Sequence, residues 1–76
     1  MKELVEVMAK ALVDNPDEVS VSEREENGET IVELRVAASD MGKVIGRQGR
    51  IAKAIRAVVK AASAKTDQKV VVDIVQ

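Results

Sequence analysis

Leu4, Met8 and Leu12 recur at four-residue spacing with Val5, Ala9 and Val13 beside them, while Glu6 and Lys10 are placed to pair on the other face. This is the pattern of an amphipathic helix, predicted over about residues 2 to 14. Asn15-Pro16 stops it, because proline pushes the residue before it out of helical geometry. The apolar period then shortens to two. Val19-Ser20-Val21-Ser22 and Ile31-Val32-Glu33-Leu34-Arg35-Val36 alternate as strands do, and Asn27-Gly28 supplies the positive backbone angles of a tight hairpin between them.

Ser39-Asp40 offers side-chain oxygens to the free amides of a new helix, and Met41 to Ile45 is read as a short helical turn ending at Gly46. A longer helix follows from Arg50. At about 100° per residue, Ile51, Ile55, Val58, Val59 and Ala62 fall in one stripe, with Arg50, Lys53, Arg56 and Lys60 opposite. Its alanine content favours the helix. After the polar turn Lys65-Thr66-Asp67-Gln68, the β-branched run from Lys69 to Val75 reads as a strand.

The order α-β-β-α-α-β predicts one α+β domain over residues 1 to 76, a three-stranded sheet with the helices packed on one face. Val70, Val72 and Ile74 are expected to face the helices. Val71 and Val75, with Ile31, then lie on the other face, either as a contact surface or as scattered exposed residues of a small sheet.

A domain this short buries only about 60–65% of the surface its unfolded chain exposes, so its core is thin. The chain has neither cysteine nor histidine, which removes disulfides and the commonest soft zinc ligands and leaves packing or oligomerisation to stabilise it. Charges interrupt the first residues, Met1-Lys2-Glu3-Leu4-Val5-Glu6, unlike a signal peptide or membrane span, and a cytoplasmic, soluble protein is expected.

The net charge of −1 argues against a nucleic-acid partner until its distribution is considered. Residues 1 to 35 carry ten acids against Lys2, Lys10, Arg24 and Arg35, whereas residues 40 to 65 carry seven bases against Asp40 alone. The positive charge is concentrated at the glycines.

Gly46-Arg47-Gln48-Gly49 is a G-x-x-G, a pattern a chain of this length holds by chance roughly a third of the time at average glycine content. Its context is more specific: the glycines lie between two predicted helices, flanked by Lys43, Arg47 and Arg50 and preceded by Val44-Ile45. Backbone amides and the dipole at the start of the second helix favour a phosphate, and glycines let a nucleic-acid backbone approach closely. Arg47 and Gln48 can reach phosphate and sugar oxygens.

The segment Gly42-Lys43-Val44-Ile45-Gly46-Arg47-Gln48-Gly49-Arg50, followed by Ala52-Lys53-Ala54-Ile55-Arg56, resembles KH domains, whose GXXG loop clamps about four nucleotides. The element order is that of the type II form. Length, first helix and the Ala-Lys-Ala-Ile-Arg run are similar to the small bacterial KH proteins of the KhpA family, over nearly the whole chain. The resemblance implies single-stranded RNA held by Lys43, Val44, Ile45, Gly46, Arg47, Gln48, Gly49, Arg50 and Lys53. It also implies a homodimer, or a heterodimer with a larger KH protein of the KhpB (Jag) type, acting as an RNA chaperone in RNA regulation, cell-envelope growth and cell shape. Ala52 departs from the large aliphatic residue many KH domains place there, which implies a shallower groove.

With no aromatic residue the chain cannot stack bases as RRM and OB modules do. Val44, Ile45, Ile51, Val32 and Leu34 are the candidates to cradle bases, although each also suits the core. Arg56 and Lys60 are either RNA contacts or a solvated face. A single domain is expected to bind with modest affinity, which pairing two sites would raise.

Glu23, Glu25, Glu26 and Glu29 lack the spacing of a calcium loop and read as a charged strand edge. Gly42-Lys43 is not a P-loop, since Val44 stands where Ser or Thr belongs. No nucleophile and base can be assembled from His or Cys, so no enzyme and no cofactor are expected. A non-catalytic protein adaptor and a helix-turn-helix DNA binder are the competing readings.

Overall fold

The computed structural model describes residues 1–75. Helix α1 spans Lys2–Leu12, strands β1 and β2 span Ser20–Glu26 and Glu29–Arg35, helices α2 and α3 span Met41–Ile45 and Arg50–Ser63, and strand β3 spans Lys69–Val75. Short 3-10 turns at Pro16–Glu18, Ala38–Asp40 and Arg47–Gly49 join them. The predicted order of elements is the observed one.

The hairpin forms as its sequence dictates. Asn27 and Gly28 take φ of 54° and 80°, the twist that lets two antiparallel strands continue from a two-residue turn. In the resulting register Val21 lies opposite Leu34, and Glu26 opposite Glu29. That pair of like charges is relieved on both sides, by Arg24 at 3.2 Å from Glu26 and Lys69 at 3.5 Å from Glu29.

Strand β3 adds parallel to β2, with Val32 beside Val72 and Leu34 beside Ile74, giving the sheet order β1-β2-β3. A parallel pair needs a crossover, and α2 with α3 provides it. On the helix-facing side Val21, Val32, Leu34 and Val72 meet Val5 and Ala9 of α1, Val44 of α2 and Ile55 and Val59 of α3. This core holds only small and medium aliphatic residues. Each fully buried one contributes about 1.5–3 kcal/mol, so no position in so small a core is dispensable.

The opposite face of the sheet is mostly charged. Arg24 Nη1 lies 2.8 Å from Glu33, which also meets Arg35 at 3.3 Å. Ile31 and Val71 pair with each other, but Glu33 and Asp73 stand between them and Val75. A continuous apolar surface is therefore interrupted, and of the two alternatives the scattered-residue one describes this face.

Three expectations are corrected. Helix α1 ends at Leu12 rather than Asp14, since Val13 is already extended. The buried stripe of α3 is Ala52, Ile55, Val59 and Ser63, rotated about 60° at 100° per residue from the predicted one. Val58 is 44% exposed and Ala62 is exposed as well. Ile55 and Val59 enter the main core cluster, and Ala52 and Ser63 are buried beside them. Finally, Asp40 does not cap α2 with its side chain; its carboxylate points elsewhere.

Candidate nucleic-acid interface

Helix α2 closes with the Gly46 amide donating to the Gly42 carbonyl at 2.9 Å, and the chain then reverses at Gly46. Gly46 has φ 76° and ψ 172°, a backbone region open essentially to glycine alone. A Cβ there would stand 2.6 Å from Ile51 Cγ1 and 3.0 Å from Ile51 Cβ. The first glycine is thus fixed both by its torsion angles and by contact with the next helix.

A single 3-10 turn follows, in which the Gly49 amide donates to the Gly46 carbonyl at 3.1 Å. Gln48 is left-handed at φ 59°, and Gly49 is left-handed at φ 72°. Nothing lies within 4 Å of where a Cβ on Gly49 would point. The second glycine is required by its backbone angle and opens on free space.

Arg47 and Gln48 form the exposed tip, Arg50 begins α3, and Lys53 is exposed one turn further along. Arg50 Nη2 donates to Gln48 Oε1 at 3.4 Å, tying the tip to the helix. Arg47, Arg50 and Lys53 have no ion-pair partner among the described residues. Val44 is wholly buried and Ile45 half-buried against the core, so they anchor the turn from below.

Val32 and Leu34, candidates for an apolar cradle, are fully buried and cannot serve one. Ala52 also faces the core. Ile51 is half-buried and lines an apolar depression with Met8, Ala11, Leu12, Ala54 and Val58. A separate groove of about 510 Å³ runs between the second half of α3 and the outer edge of β3, with Arg56, Lys60, Val70 and Val72 among its walls. There Arg56 Nε donates to the Val72 carbonyl at 3.3 Å, so this arginine is more than a solvated charge. Glu23, Glu25 and Glu26 lie on the outer strand β1, consistent with a charged edge, whereas Glu29 begins the central strand β2 and is not an edge residue.

The feature the sequence does not disclose is Asp40. Its side chain is 1% exposed. It accepts hydrogen bonds from the Asp14 amide at 3.2 Å, and from the Asn15 amide and Nδ2 at 3.0 Å each. Burial by itself would raise the carboxyl's pKa. The bonds from the Asn15 side chain and the two amides, with Lys43 nearby, outweigh burial and hold it below the ordinary value. Asp40 thereby ties the end of α1 to the start of α2, the helix that carries the glycine loop. Lys43 sits over this junction, its Nζ 3.0 Å from Asp14 Oδ2 and 3.8 Å from Asp40 Oδ1.

The family model for the KhpA/KhpB KH domain matches residues 2–74. The chain belongs to the KhpA/KhpB KH-domain family. An RNA-binding protein KhpA of Clostridium acetobutylicum is 61% identical over 75 residues, covering 99% of this chain and 100% of the relative. That of Caldanaerobacter subterraneus is 59% identical over the same length and shares. A more distant KhpA, from Listeria monocytogenes, is 43% identical over 76 residues and 100% of both chains.

Among solved structures, Era in complex with MgGDPNP and nucleotides 1506–1542 of 16S ribosomal RNA superposes with a TM-score of 0.65 at 18% identity, covering 96% of this chain and 28% of Era. Aquifex aeolicus Era bound to GDP.AlF4- gives 0.63 with the same coverage. At that identity the likeness shows the fold alone, and the fold is the type II KH arrangement.

Proposed function

We propose that this KhpA/KhpB-family chain binds single-stranded RNA at the Gly46 to Gly49 loop. The observation that carries the reading is the loop itself: two glycines in torsions that other residues resist, one opening on free space, beside three cations without a carboxylate partner among the described residues. Arg47, Gln48, Arg50 and Lys53 contact the sugar-phosphate backbone, Gly46 and Gly49 permit its approach, and Lys43 joins from the last turn of α2. Val44 and Ile45 hold the loop in place rather than touch the ligand. The relatives described as RNA-binding proteins support the same reading.

The RNA then runs along α3 toward the groove at the β3 edge, where Arg56 and Lys60 supply charge and Val70 and Val72 an apolar wall. From Arg50 to Lys60 the helix rises about 15 Å, a length suited to a few nucleotides. The chain works in the bacterial cytoplasm as an RNA chaperone, as a homodimer or with a KhpB-type partner, in RNA regulation and cell-envelope growth. The uncovered strip of Met8, Ala11, Leu12, Ile51, Ala54 and Val58 favours such pairing, because so small a protein exposes few contiguous apolar side chains without a partner for them.

The test is a titration of labelled single-stranded RNA and of duplex DNA over a salt series. The expected result is salt-dependent binding with a clear preference for the single-stranded RNA. A preference for duplex DNA would instead support the helix-turn-helix reading.

A further inference from the structure

Four cations stand at or beside the glycine loop, and they are not equivalent. Arg47, Arg50 and Lys53 have no carboxylate in ion-pair range among the described residues, whereas Lys43 is held by Asp14 at 3.0 Å. Asp40 is also within 3.8 Å of Lys43, but both its oxygens already accept bonds from the Asp14 and Asn15 groups. Asp14 differs. Its side chain is 74% exposed, and the ion pair to Lys43 is its one polar contact among the described residues.

The pairing is built into the backbone. The Asp14 amide is fixed to Asp40, and Asp40 immediately precedes the helix that bears Lys43, so the two charged side chains start from anchored positions only a few residues apart in space. The end of α1 therefore delivers a carboxylate to the place where an RNA phosphate would seek Lys43. An exposed carboxylate of this kind can also swing into water when a stronger anion arrives.

We propose that Asp14 is an internal competitor for RNA, occupying Lys43 until a phosphate seated at the glycine loop displaces it. The inference rests on the RNA-binding reading of that loop. It makes Asp14 a residue that sets the loop's affinity and salt response without touching RNA. The raised pKa of Lys43, caused first by its hydrogen bond to Asp14 and then by the charge of Asp14, accords with an ammonium already partnered in the free protein.

The experiment is a fluorescence-anisotropy titration of a short labelled oligouridylate over a sodium chloride series. The proteins are the wild type, Asp14→Asn, Asp14→Ser, Asp17→Asn, Lys43→Gln and the double variant Asp14→Asn with Lys43→Gln. Both neutral replacements of Asp14 are expected to bind about two- to fivefold tighter at low salt, the scale of a released exposed ion pair. The gain should shrink as salt rises, because screening weakens the exposed Asp14–Lys43 pair that the substitution removes. Asp17→Asn removes the same charge three residues on, from a side chain without an ion-pair partner among the described residues, and should produce no such gain.

With Lys43 replaced, the Asp14→Asn gain should vanish. Unchanged or weaker binding by the Asp14 variants, or a gain that persists without Lys43, overturns the inference. Wild-type binding that is absent, or indifferent to Arg47→Asp with Gln48→Asp, overturns the loop reading itself. Circular dichroism of each variant separates loss of fold from either result.

Discussion

Replacing each glycine of the loop by alanine should have opposite consequences for fold and for binding. At Gly46 the methyl group meets Ile51 at 2.6 Å and 3.0 Å, and the second of these contacts is with Ile51 Cβ, which no side-chain rotation can move away. The backbone angle adds strain of about 1–3 kcal/mol, and overpacking a further 1–3 kcal/mol or so. Against a total stability of roughly 4–11 kcal/mol for a chain of this size, the sum of about 2–6 kcal/mol is severe. At about 4–8 °C per kcal/mol, Gly46→Ala should lower the melting temperature by at least about 8 °C.

Gly49→Ala meets no atom within 4 Å and costs only the left-handed backbone penalty, about 1–2 kcal/mol. It should fold, yet bind RNA more weakly, because its methyl group fills the space left for the nucleic-acid backbone. Thermal and urea unfolding followed by circular dichroism measure the first effect, and RNA titration of the folded Gly49→Ala protein measures the second. Equal stability losses at the two positions would refute the assignment of Gly46 to architecture. Undiminished RNA binding by Gly49→Ala would refute the assignment of Gly49 to ligand approach.

Asp40→Asn should destabilise the protein at neutral pH more than Asp14→Asn does, because an amide leaves one acceptor oxygen and turns an NH2 toward donors that now bond a carboxylate; urea midpoints compare them. The Asp40 carboxyl lies below its ordinary 3.8, so its contribution to stability is fully present above that pH and is lost as pH falls through the lower folded value. Acid unfolding of the wild type should show this limb, and Asp40→Asn should lack it. Val58→Asp places a charge in the apolar strip at a position already 44% exposed, and should shift a dimer toward monomer in sedimentation while leaving the fold intact.

Most of the fold is legible in local sequence. Asn27-Gly28 fixes the hairpin, the four-residue apolar period fixes α1, and Gly46 with Gly49 marks the α2 to α3 junction, since each rests on neighbours within a few residues. What local pattern misses depends on distant partners. Helix α1 stops early at a place where the amides of Asp14 and Asn15 bind a carboxylate some 25 residues on, and no periodicity reports that. The same bond takes Asp40 from the capping role its position suggested.

The buried face of α3 escapes local pattern for a related reason. Hydropathy ranks Val58 above Ala52 and Ser63, but the two small residues are buried and the valine is left outside. At the glycine loop the residue types and spacing located the junction, while the separate duties of Gly46 and Gly49, the buried position of Val44 and the partner of Lys43 required coordinates. For Arg56 the sequence leaves RNA contact and a solvated face both open, and its bond to the Val72 carbonyl places it at the β3 groove.

The most direct test of RNA binding at the loop is to titrate single-stranded RNA against the wild type and a variant carrying Arg47→Asp and Gln48→Asp. Both glycines remain, aspartate tolerates the left-handed angle at position 48, and two carboxylates face the expected phosphate. Circular dichroism should report the same fold for both proteins. Salt-dependent binding by the wild type that the variant loses is the predicted result, and equal binding by two folded proteins would contradict it.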